Sequence, residues 1–239
     1  MRIALVCIAK NEDNYIKEWI LYHKKLGFND IFIYQNDWRT DIEGDNIHKF
    51  ELDGLGKQPG VYNIFIRNFK NEYDWAAFFD VDEFLVLKKH KNIEEFINDY
   101  SEFPSIGINW VLFGNNNMEA PNDNYSVLER FTKRQKSVNR HIKTILNLKS
   151  NAMMNTHCPI NVPNVDCNYM CFYGPFNPKG DDKIAQLNHY FCKTMPEFLK
   201  KCERGSADNP REGKKIKDYE EHNFNEIDDF TALNFYKEI

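Results

Sequence analysis

The sequence predicts an α/β protein with a Rossmann-like, mostly parallel β-sheet and helices on both of its faces. Strand-like and helix-like segments alternate along residues 1–113, which is the order that a parallel sheet with helical crossovers requires. Several strand-like segments are continuous apolar runs, as in strands that are buried on both faces. The 239 residues are 42% hydrophobic and 15% aromatic, which is enough for a large core, and we predict a single domain over residues 1–239.

Apolar spacing defines the elements of residues 1–113. Residues 2–9 form a nearly unbroken apolar run and predict a buried first strand. In residues 15–26 and 59–70 apolar side chains recur at helical spacing, and Gly27 ends the first of these helices. The other predicted elements of this half are strands at 30–35, 47–52, 75–80 and 105–113 and a short helix at 93–100.

Residues 114–239 are less regular. They predict strands at 127–133, 141–148 and 184–191, and a long loop at 152–180 that is rich in Asn, Pro, Cys and Gly. Thr194 and Glu197 form the capping-box pattern of a helix that ends at Gly205. The acidic tail from Lys217 carries spaced apolar residues and predicts a final helix or strap on the same domain.

The charge balance disfavours some functions. The chain has 31 basic and 36 acidic residues, a net charge of -5, whereas general nucleic-acid-binding proteins are usually basic. Residues 130–149 are the exception, with seven Lys or Arg and no Asp or Glu. This segment is either a solvated strand face or a surface for an anionic ligand such as a diphosphate, an acidic glycan or a membrane headgroup.

Targeting and cysteine patterns predict an intracellular protein. No apolar run is long enough to span a membrane, and the first residues predict a strand and not a signal peptide. Six cysteines without an export signal are expected to be reduced and packed. Cys167 and Cys171, with His157 and Cys158 upstream, have metal-compatible spacing, but the pairing is looser than structural zinc requires.

The strongest chemical motif follows a buried strand. Five apolar residues lead into Asp80 and Asp82, which stand one residue apart. Ligands of open α/β sheets bind at the carboxyl ends of the strands, and two carboxylates there suit Mg²⁺ or Mn²⁺. An EF-hand is excluded because Phe84 and Leu85 stand where that loop needs a ligand and a glycine. The plainer alternative is an acidic strand end that caps a neighbouring helix.

Polar pairs also follow the first two strands. Asn11 and Glu12 follow one, and Asn36 and Asp37 follow the other. Taken singly, each pair is more often a turn or a helix cap. With the aspartates they make three polar clusters at three successive strand ends, which favours a nucleoside site. A nucleoside-diphosphate sugar would give the metal its task, since the leaving diphosphate needs its developing charge neutralised.

Other motif classes are missing from the sequence. It contains no G-x-G-x-x-G or Walker A motif, which argues against dinucleotide oxidoreductases and P-loop NTPases. It contains no G-x-S-x-G elbow, which argues against α/β-hydrolases.

Two further residues each have two possible roles. His189 on a late strand could approach the sheet edge as a metal ligand or pack in the core. Trp110 could stack on a sugar or pack in the core.

Together these residues resemble glycosyltransferase family 92 and related bacterial family-2-like glycosyltransferases. The matching motifs, in chain order, are Lys10-Asn11-Glu12, Glu18-Trp19, Tyr22-His23, Leu26-Gly27, Asn36-Asp37, Gln58, Asp80-Val81-Asp82-Glu83-Phe84, Trp110, Phe113-Gly114, His189-Tyr190 and Arg204-Gly205. The resemblance implies a GT-A fold, an inverting transfer, Mn²⁺ or Mg²⁺, and a nucleotide-sugar donor, most often a UDP-sugar such as UDP-galactose. It also implies a donor half at 1–113 and an acceptor half at 114–239.

Site roles follow from the resemblance and the strand-end positions. The predicted donor-binding residues are Asn11, Glu12, Asn36, Asp37, Gln58 and Asp80. The predicted metal ligands are Asp80, Asp82 and His189, and the predicted acceptor-binding residues are Trp110 and His157. An inverting displacement needs a general base, and Glu83, Glu119 and Asp208 are the candidates. Lys143 and its basic neighbours are candidates to assist at the diphosphate or at an anionic acceptor.

The expected setting is bacterial. We expect a cytoplasmic enzyme, in peripheral contact with the inner membrane, that adds a sugar to a surface glycan or a lipid-linked glycan. One alternative is a sugar nucleotidyltransferase, although residues 10–13 are acidic and lack the glycine-rich loop that holds a triphosphate. The other is a non-catalytic nucleotide- or carbohydrate-binding protein, against which the intact Asp80 and Asp82 argue.

Overall fold

The computed structural model describes residues 1–54, 56–205 and 214–238. The described residues form a ten-stranded sheet, a separate two-stranded sheet and seven α-helices. The strands are β1 (Ile3–Ala9), β2 (Asp30–Asn36), β3 (Ile47–Leu52), β4 (Trp75–Phe78), β5 (Glu83–Leu87), β6 (Ser105–Leu112), β7 (Lys133–Arg134), β8 (Ile142–Asn147), β9 (Asn164–Val165), β10 (Cys171–Phe172), β11 (Ala185–His189) and β12 (Ile227–Asp228). The helices are α1 (Asp13–Lys25), α2 (Gln58–Phe69), α3 (Ile93–Asn98), α4 (Val127–Arg130), α5 (Met195–Glu203), α6 (Ile216–His222) and α7 (Thr231–Lys237).

The large sheet has the strand order β10-β9-β6-β8-β4-β1-β2-β3, and β11 pairs with both β6 and β5. β4, β1, β2 and β3 are parallel to one another, whereas β8 runs antiparallel to β4 and β6. The predicted α/β class, with a mostly parallel sheet flanked by helices, is confirmed. Strands from both 1–113 and 114–239 lie in this one sheet, so the two halves share their framework.

Side-chain alternation along β1 explains why helices cover both faces of the sheet. Successive strand residues point to opposite faces. Leu5 and Cys7 pack in the same core cluster as Trp19 of α1, whereas Ala4 and Val6 pack in a second cluster with α2. Every residue of β1 is buried. The continuous apolar run is therefore the sequence pattern of a strand covered on both sides.

The strand predicted at 127–133 is wrong. Its first residues form the short helix α4 instead. Ser126 and Glu129 make a reciprocal capping box at its start, and the carboxylate of Glu18 accepts the N–H groups of Val127 and Leu128. These acceptors satisfy backbone donors that an isolated helix end leaves without partners, so the capping contacts, two of them from the distant Glu18, outweigh the β propensity of the sequence.

The predicted elements also lack β5, which begins at Glu83 directly after the turn that follows β4. It pairs antiparallel with β11 and does not join the parallel strands.

The tail forms α6, β12 and α7, and the ring of Phe235 in α7 packs edge-on against Tyr22 at 5.1 Å. In the part of the chain that the structure describes, no helix is both long and apolar enough to cross a bilayer.

Candidate functional site

A cavity of about 210 Å³ opens at the carboxyl ends of the parallel strands. Its lining includes residues at or just after the ends of β1, β2 and β4 and residues of β6, β11 and α5. The predicted site residues that line it are Glu12, Asn36, Gln58, Asp80, Asp82, Trp110, His157 and His189. Residues far apart in the sequence thus converge on one polar cavity.

Asp80 follows β4 and is held from two sides. Its Oδ1 accepts a hydrogen bond from Nε2 of Gln58 at 2.7 Å, and its Oδ2 accepts one from Nζ of Lys143 at 2.8 Å. Burial opposes ionisation of the carboxyl, but the Lys143 ammonium outweighs burial and holds the pKa of Asp80 below its ordinary value. Asp80 therefore presents a fixed, ionised carboxylate to the cavity.

Asp82 is almost fully buried and has a different partner. Its Oδ2 accepts a hydrogen bond from Nζ of Lys201, and its Oδ1 lies 3.7 Å from Nε2 of His189. Burial opposes ionisation here too, but Lys201 and His189 together keep the pKa of Asp82 well below its ordinary value. Burial lowers the pKa of His189 to about 4, so its imidazole is neutral near pH 7 and able to act as a ligand.

The ammonium of Lys143 connects Asp80 to a buried carboxyl beneath it. Lys143 and Glu83 are both fully buried, with Nζ of Lys143 3.7 Å from Oε2 of Glu83. Oε2 of Glu83 also accepts the backbone N–H of Asp80 at 2.8 Å. Burial raises the pKa of Glu83 well above its ordinary value. These contacts set the position of Asp80 and leave Glu83 outside the cavity lining.

Three side chains of α1 anchor the segment that follows the aspartates. Nε1 of Trp19 donates to the carbonyl of Glu83 at 2.8 Å, and the hydroxyl of Tyr22 donates to the carbonyl of Leu85 at 2.8 Å. Nε2 of His23 accepts the N–H of Leu85 at 3.4 Å. The Trp19, Tyr22 and His23 motifs of the sequence therefore hold the start of β5, which fixes the turn that bears the two aspartates.

The residues predicted to face the nucleoside are only partly brought together. Asn36 and Glu12 are buried and line the cavity, with Glu12 paired to Arg204. Asp37 lies outside the lining, where its Oδ2 binds Nζ of Lys10 at 3.2 Å. Asn11 lines a second cavity of about 430 Å³, which shares Lys201 and Arg204 with the first.

Trp110 stands in a cluster of histidines that includes His189. Its ring lies 4.3 Å from that of His189, stacks on His141 at 5.0 Å and meets His157 edge-on at 5.3 Å. Trp110 and His157 both line the cavity. An aromatic surface thus lies next to the Asp82–His189 pair, where the apolar face of a sugar could stack.

The three predicted bases have different locations. Glu83 is fully buried, and Glu119 is exposed and absent from the linings of both cavities. Asp208 lies outside the described residues. The structure therefore leaves the choice of base as a prediction.

Most basic side chains of 130–149 are paired with acids from elsewhere in the chain and do not line the cavity. The paired residues are Arg130 with Glu197, Lys133 with Asp228, Arg134 with Asp182 and Asp229, Lys143 with Asp80, and Lys149 with Asp74. Lys143 is fully buried beneath Asp80. This segment therefore does not form one open anionic-ligand surface.

Cationic residues from other parts of the chain line the cavity instead. Lys201, Arg204 and Lys214 belong to α5 and the segments that follow it, and Lys10 follows β1. The Arg204-Gly205 motif was the one sequence feature that pointed to this group. Lys201 adjoins Lys200 and Lys214 adjoins Lys215, but acidic residues are interspersed with the basic ones in this part of the sequence.

Asp82 and His189 offer the donors for a divalent cation. The 3.7 Å between Oδ1 of Asp82 and Nε2 of His189 is a separation that two ligands can have when each lies about 2.1 Å from one ion. Among the described residues no three His, Cys, Asp or Glu side chains are grouped to hold a metal. A Mg²⁺ or Mn²⁺ ion would therefore take its remaining ligands from a bound diphosphate and from water.

Comparison with known sequences supports the family resemblance that the motifs indicate. The sequence model of glycosyltransferase family 92 matches residues 66–226, which include both aspartates, Trp110, His189 and the cationic residues of the cavity apart from Lys10. A family 92 protein of Oryza sativa subsp. japonica is 26% identical over 112 residues, 43% of this chain and 19% of its own length. A family 92 protein of Arabidopsis thaliana is 25% identical over 114 residues, 41% of this chain and 20% of its own length. The matched segments thus span about a fifth of these relatives.

Solved structures give weaker likenesses. TarS of S. aureus superposes with a TM-score of 0.32 and 16% identity over 51% of this chain and 23% of its own. A putative glucose-1-phosphate thymidylyltransferase of Bacillus anthracis superposes with a TM-score of 0.38 and 9% identity over 62% of this chain and 72% of its own. The match over residues 66–226 covers well over half of the sequence, and the chain therefore belongs to glycosyltransferase family 92.

Proposed function

We propose that this chain is a metal-dependent, inverting glycosyltransferase of the GT-A type that moves a sugar from a nucleotide-sugar donor to a glycan hydroxyl. The observation that carries the proposal is the placement of Asp80 and Asp82 at the carboxyl end of β4, on a cavity also lined by cations. Such a cavity suits a diphosphate because carboxylates bind the metal while cations bind phosphate oxygens. A UDP-sugar, such as UDP-galactose, is the donor we propose.

The strand ends would bind the nucleoside. The buried side chains of Asn36 and Gln58 line the cavity beside Asp80. Oδ1 of Asn36 has no hydrogen-bond partner among the described residues, although it is buried. A buried acceptor without a partner is costly, and a base or ribose donor would relieve that cost if binding shifts the side chain. Asn11 and Asp37 lie farther along the same sheet edge.

Asp82 and His189 would hold Mn²⁺ or Mg²⁺ together with the donor diphosphate, and Asp80, which the resemblance also implies as a ligand, would join them if binding shifts its carboxylate. When bound, the ion neutralises the charge that develops on the leaving diphosphate. The chain's own contribution is to keep both carboxylates ionised, through Lys143 at Asp80 and Lys201 at Asp82. Neutral His189 adds a nitrogen donor without adding charge.

Trp110 and His157 would orient the acceptor. Their rings line the cavity on the side of β6, next to His189. Aromatic stacking on the apolar face of a sugar would position the attacking hydroxyl. The matched relatives described above are plant proteins, so a bacterial surface glycan or lipid-linked glycan, and contact with the inner membrane, remain predictions.

Inversion by a single displacement needs a base for the proton of the acceptor hydroxyl. Glu83→Gln, Glu119→Gln and Asp208→Asn test the three candidates separately. The variant that loses transfer while it binds donor normally identifies the base. If all three transfer sugar at the parent rate, none of the three residues is the base.

A thermal-shift screen tests the function. Nucleoside diphosphates, nucleoside triphosphates and sugar nucleotides are each added with and without Mn²⁺. A ligand at about 100 times its Kd stabilises by about 2.7 kcal/mol, which is roughly 5–10 °C for a chain of this size. We expect a shift with UDP or a UDP-sugar that requires Mn²⁺.

The same screen separates the alternatives. A shift with triphosphates alone would indicate a nucleotidyltransferase, and incubation with the stabilising nucleotide would then release pyrophosphate. Binding without donor hydrolysis or transfer to any acceptor would indicate a non-catalytic binding protein. No shift with any nucleotide would contradict the proposed function.

A further inference from the structure

The second cavity, of about 430 Å³, lies beside the first and has no ligand in the proposed function. The two cavities meet at Lys201 and Arg204, which line both of them. The start of α1, residues 121 and 123, and α5 with the residue before its cap form the rest of the lining. Small-molecule sites usually have volumes of about 300–1,000 Å³. A ligand of sugar size therefore has room next to the cavity of the two aspartates.

Lys193 is a buried lysine in the lining of this second cavity, and it is only 5% exposed. Its Nζ lies 4.3 Å from the centre of the Tyr15 ring. Among the described residues this Nζ has no carboxylate at ion-pair distance and no hydrogen-bond acceptor. The ring attracts the charge, but an ammonium has three N–H donors, and burying them without acceptors is costly. Lys193 can therefore still bind an anion.

The backbone of Lys193 is strained as well. Its φ of 51° lies in the left-handed region, which a residue with a long side chain rarely adopts. The N–H of Thr194, the next residue, donates to Oε2 of Glu197 at 3.0 Å and fixes the entry into α5. Strained residues concentrate at ligand sites, where the surrounding structure holds them. The strain and the buried ammonium are separate costs at one residue, and both favour a functional role for Lys193.

The carboxylates of this cavity do not neutralise Lys193. The buried one, Glu197, is held by the guanidinium of Arg130 at 2.8 and 3.0 Å. The others are exposed to water, which screens their charge; they are Asp13, Asp123 and Glu203. The other buried ammonium, that of Lys201, already donates to Asp82. Burial lowers the pKa of Lys193, and an anion beside the ammonium would oppose that shift. The uncompensated buried charge of the cavity is therefore positive.

We propose that the second cavity binds an acidic group of the acceptor, a carboxylate or a phosphate, at the ammonium of Lys193. The inference rests on the proposed function, because it makes the neighbour of the donor cavity an acceptor site. The amides of Asn11 and Asn14 line the same cavity and offer donors and acceptors to sugar hydroxyls. The acidic group then belongs to a different part of the acceptor from the sugar that stacks on Trp110.

The test uses three probes that share one sugar ring, namely glucose, glucuronate and glucose 6-phosphate. Calorimetry measures their binding to the parent chain, to Lys193→Met and to Lys217→Met. Lys217 is the control cation, since its side chain is 77% exposed and pairs with Glu221. Each titration is made with and without saturating UDP and Mn²⁺, which would occupy the first cavity. The unfolding temperature of each variant is measured in parallel.

We expect the parent to bind at least one acidic probe about tenfold more tightly than glucose, because a charge-assisted contact forms. Lys193→Met should lose this preference and Lys217→Met should keep it. A preference for glucuronate would indicate an acidic glycan as the acceptor, and a preference for glucose 6-phosphate would indicate a phosphorylated one. Lys193→Met should unfold at the temperature of the parent or above it, because it removes a buried cation without a carboxylate partner.

Three results would overturn the inference. The parent could bind both acidic probes no better than glucose. Folded Lys193→Met could keep the preference, or UDP with Mn²⁺ could displace the acidic probes, which would place them in the first cavity. A lower unfolding temperature of Lys193→Met would assign the residue to the folding of α5 and would equally overturn the inference.

A titration with UDP separates this inference from the proposed function. Lys193→Met should bind UDP with Mn²⁺ within about threefold of the parent, because Lys193 does not line the first cavity. If UDP and UDP-sugars bind to neither form, the nucleotide-sugar function fails. Binding of acidic sugars that depends on Lys193 would then still establish the second cavity as a site for them.

Discussion

Two basic regions of this protein differ in what their charges do. Residues 130–149 carry the conspicuous basic run, but the fold gives most of those cations an acidic partner. The cationic wall, formed by Lys201, Arg204 and Lys214, comes from residues 200–217, where seven Lys or Arg are interspersed with three acidic residues, yet all three of its members line the cavity. The net charge of a segment therefore does not locate an anion site. What decides is which cations the fold places at the cavity.

Residues 130–149 help to hold the cationic wall in position. Arg130 of α4 makes a bidentate pair with Glu197 of α5, with N–O distances of 2.8 and 3.0 Å. Glu197 also accepts hydrogen bonds from Thr194 and from the hydroxyl of Tyr15. Because α5 carries Lys201 and leads to Arg204, this buried network holds the helix that presents the wall. We expect substitutions in the first region to affect stability and those in the second to affect ligand binding.

The largest expected effect is on stability, from Arg130→Met. The change leaves Glu197 buried without its cation, and breaking a buried ion pair costs about 3–5 kcal/mol. The free energy of unfolding in urea measures the loss. Lys133→Met, which removes an exposed pair with Asp228, is the control and should cost about 1 kcal/mol or less. Equal losses in the two variants would contradict the contrast between buried and exposed pairs within this region.

A large effect on binding is expected from Asp82→Ala. Removing the carboxylate should weaken Mn²⁺-dependent UDP binding at least a hundredfold, about 2.7 kcal/mol, because a charged ligand of the ion is lost. Calorimetry with and without Mn²⁺ measures this change. Asp82→Asn is the companion variant, because it preserves side-chain size next to Lys201. Unchanged UDP affinity with Mn²⁺ in both variants would remove Asp82 from the metal site.

A smaller effect on the metal is expected from His189→Ala. The loss of one neutral ligand should weaken Mn²⁺ binding by about tenfold. A manganese titration in the presence of UDP measures the affinity. Its control is His141→Ala, which removes another ring that packs on Trp110. If the two variants behave alike, His189 acts by packing and not as a ligand.

The smallest expected effect is on the pH dependence of the free energy of unfolding. Burial raises the pKa of Glu197, but the hydrogen-bonded Arg130 outweighs burial and brings that pKa down from 4.5 to about 2. A carboxyl whose pKa is lower in the folded chain contributes stability above its unfolded pKa, and that stability is lost as the pH falls from about 4.5 to about 2. Urea unfolding between pH 5 and pH 4 should therefore show a modest decrease. Glu197→Gln should flatten this part of the profile, and an unchanged slope would show that other carboxyls cause it.

Much of the fold could be predicted from the sequence. β1 and β2 follow from unbroken apolar runs, and α1 and α2 from helical spacing, because burial on two faces or on one stripe leaves a periodic pattern. The wrong strand at 127–133 shows where this fails. Two of the acceptors that cap α4 belong to the carboxylate of Glu18, which is 109 residues away from Val127, and no local pattern contains that contact.

The site residues were likewise predictable from the sequence only in part. Asp80 and Asp82 were recognisable because a buried strand leads directly into them, and the resemblance added Gln58 and His189. Lys214 and the pairing of Lys143 with Asp80 were not recognisable, since each depends on what packs beside it. The motif residues Trp19, Tyr22 and His23 prove to be anchors of the turn and not part of the cavity lining.

The sequence by itself determined the α/β class, the strand-end clusters and membership of glycosyltransferase family 92. Apolar periodicity and motifs involve residues that are close together in the sequence, so they can be recognised without the tertiary structure. Only the tertiary structure decided which charges neutralise one another and which remain at the cavity. Electrostatic interactions depend on distance and burial. Lys143 and Lys214 have the same side chain, yet one is fully buried on Asp80 while the other lines the cavity without a carboxylate partner among the described residues.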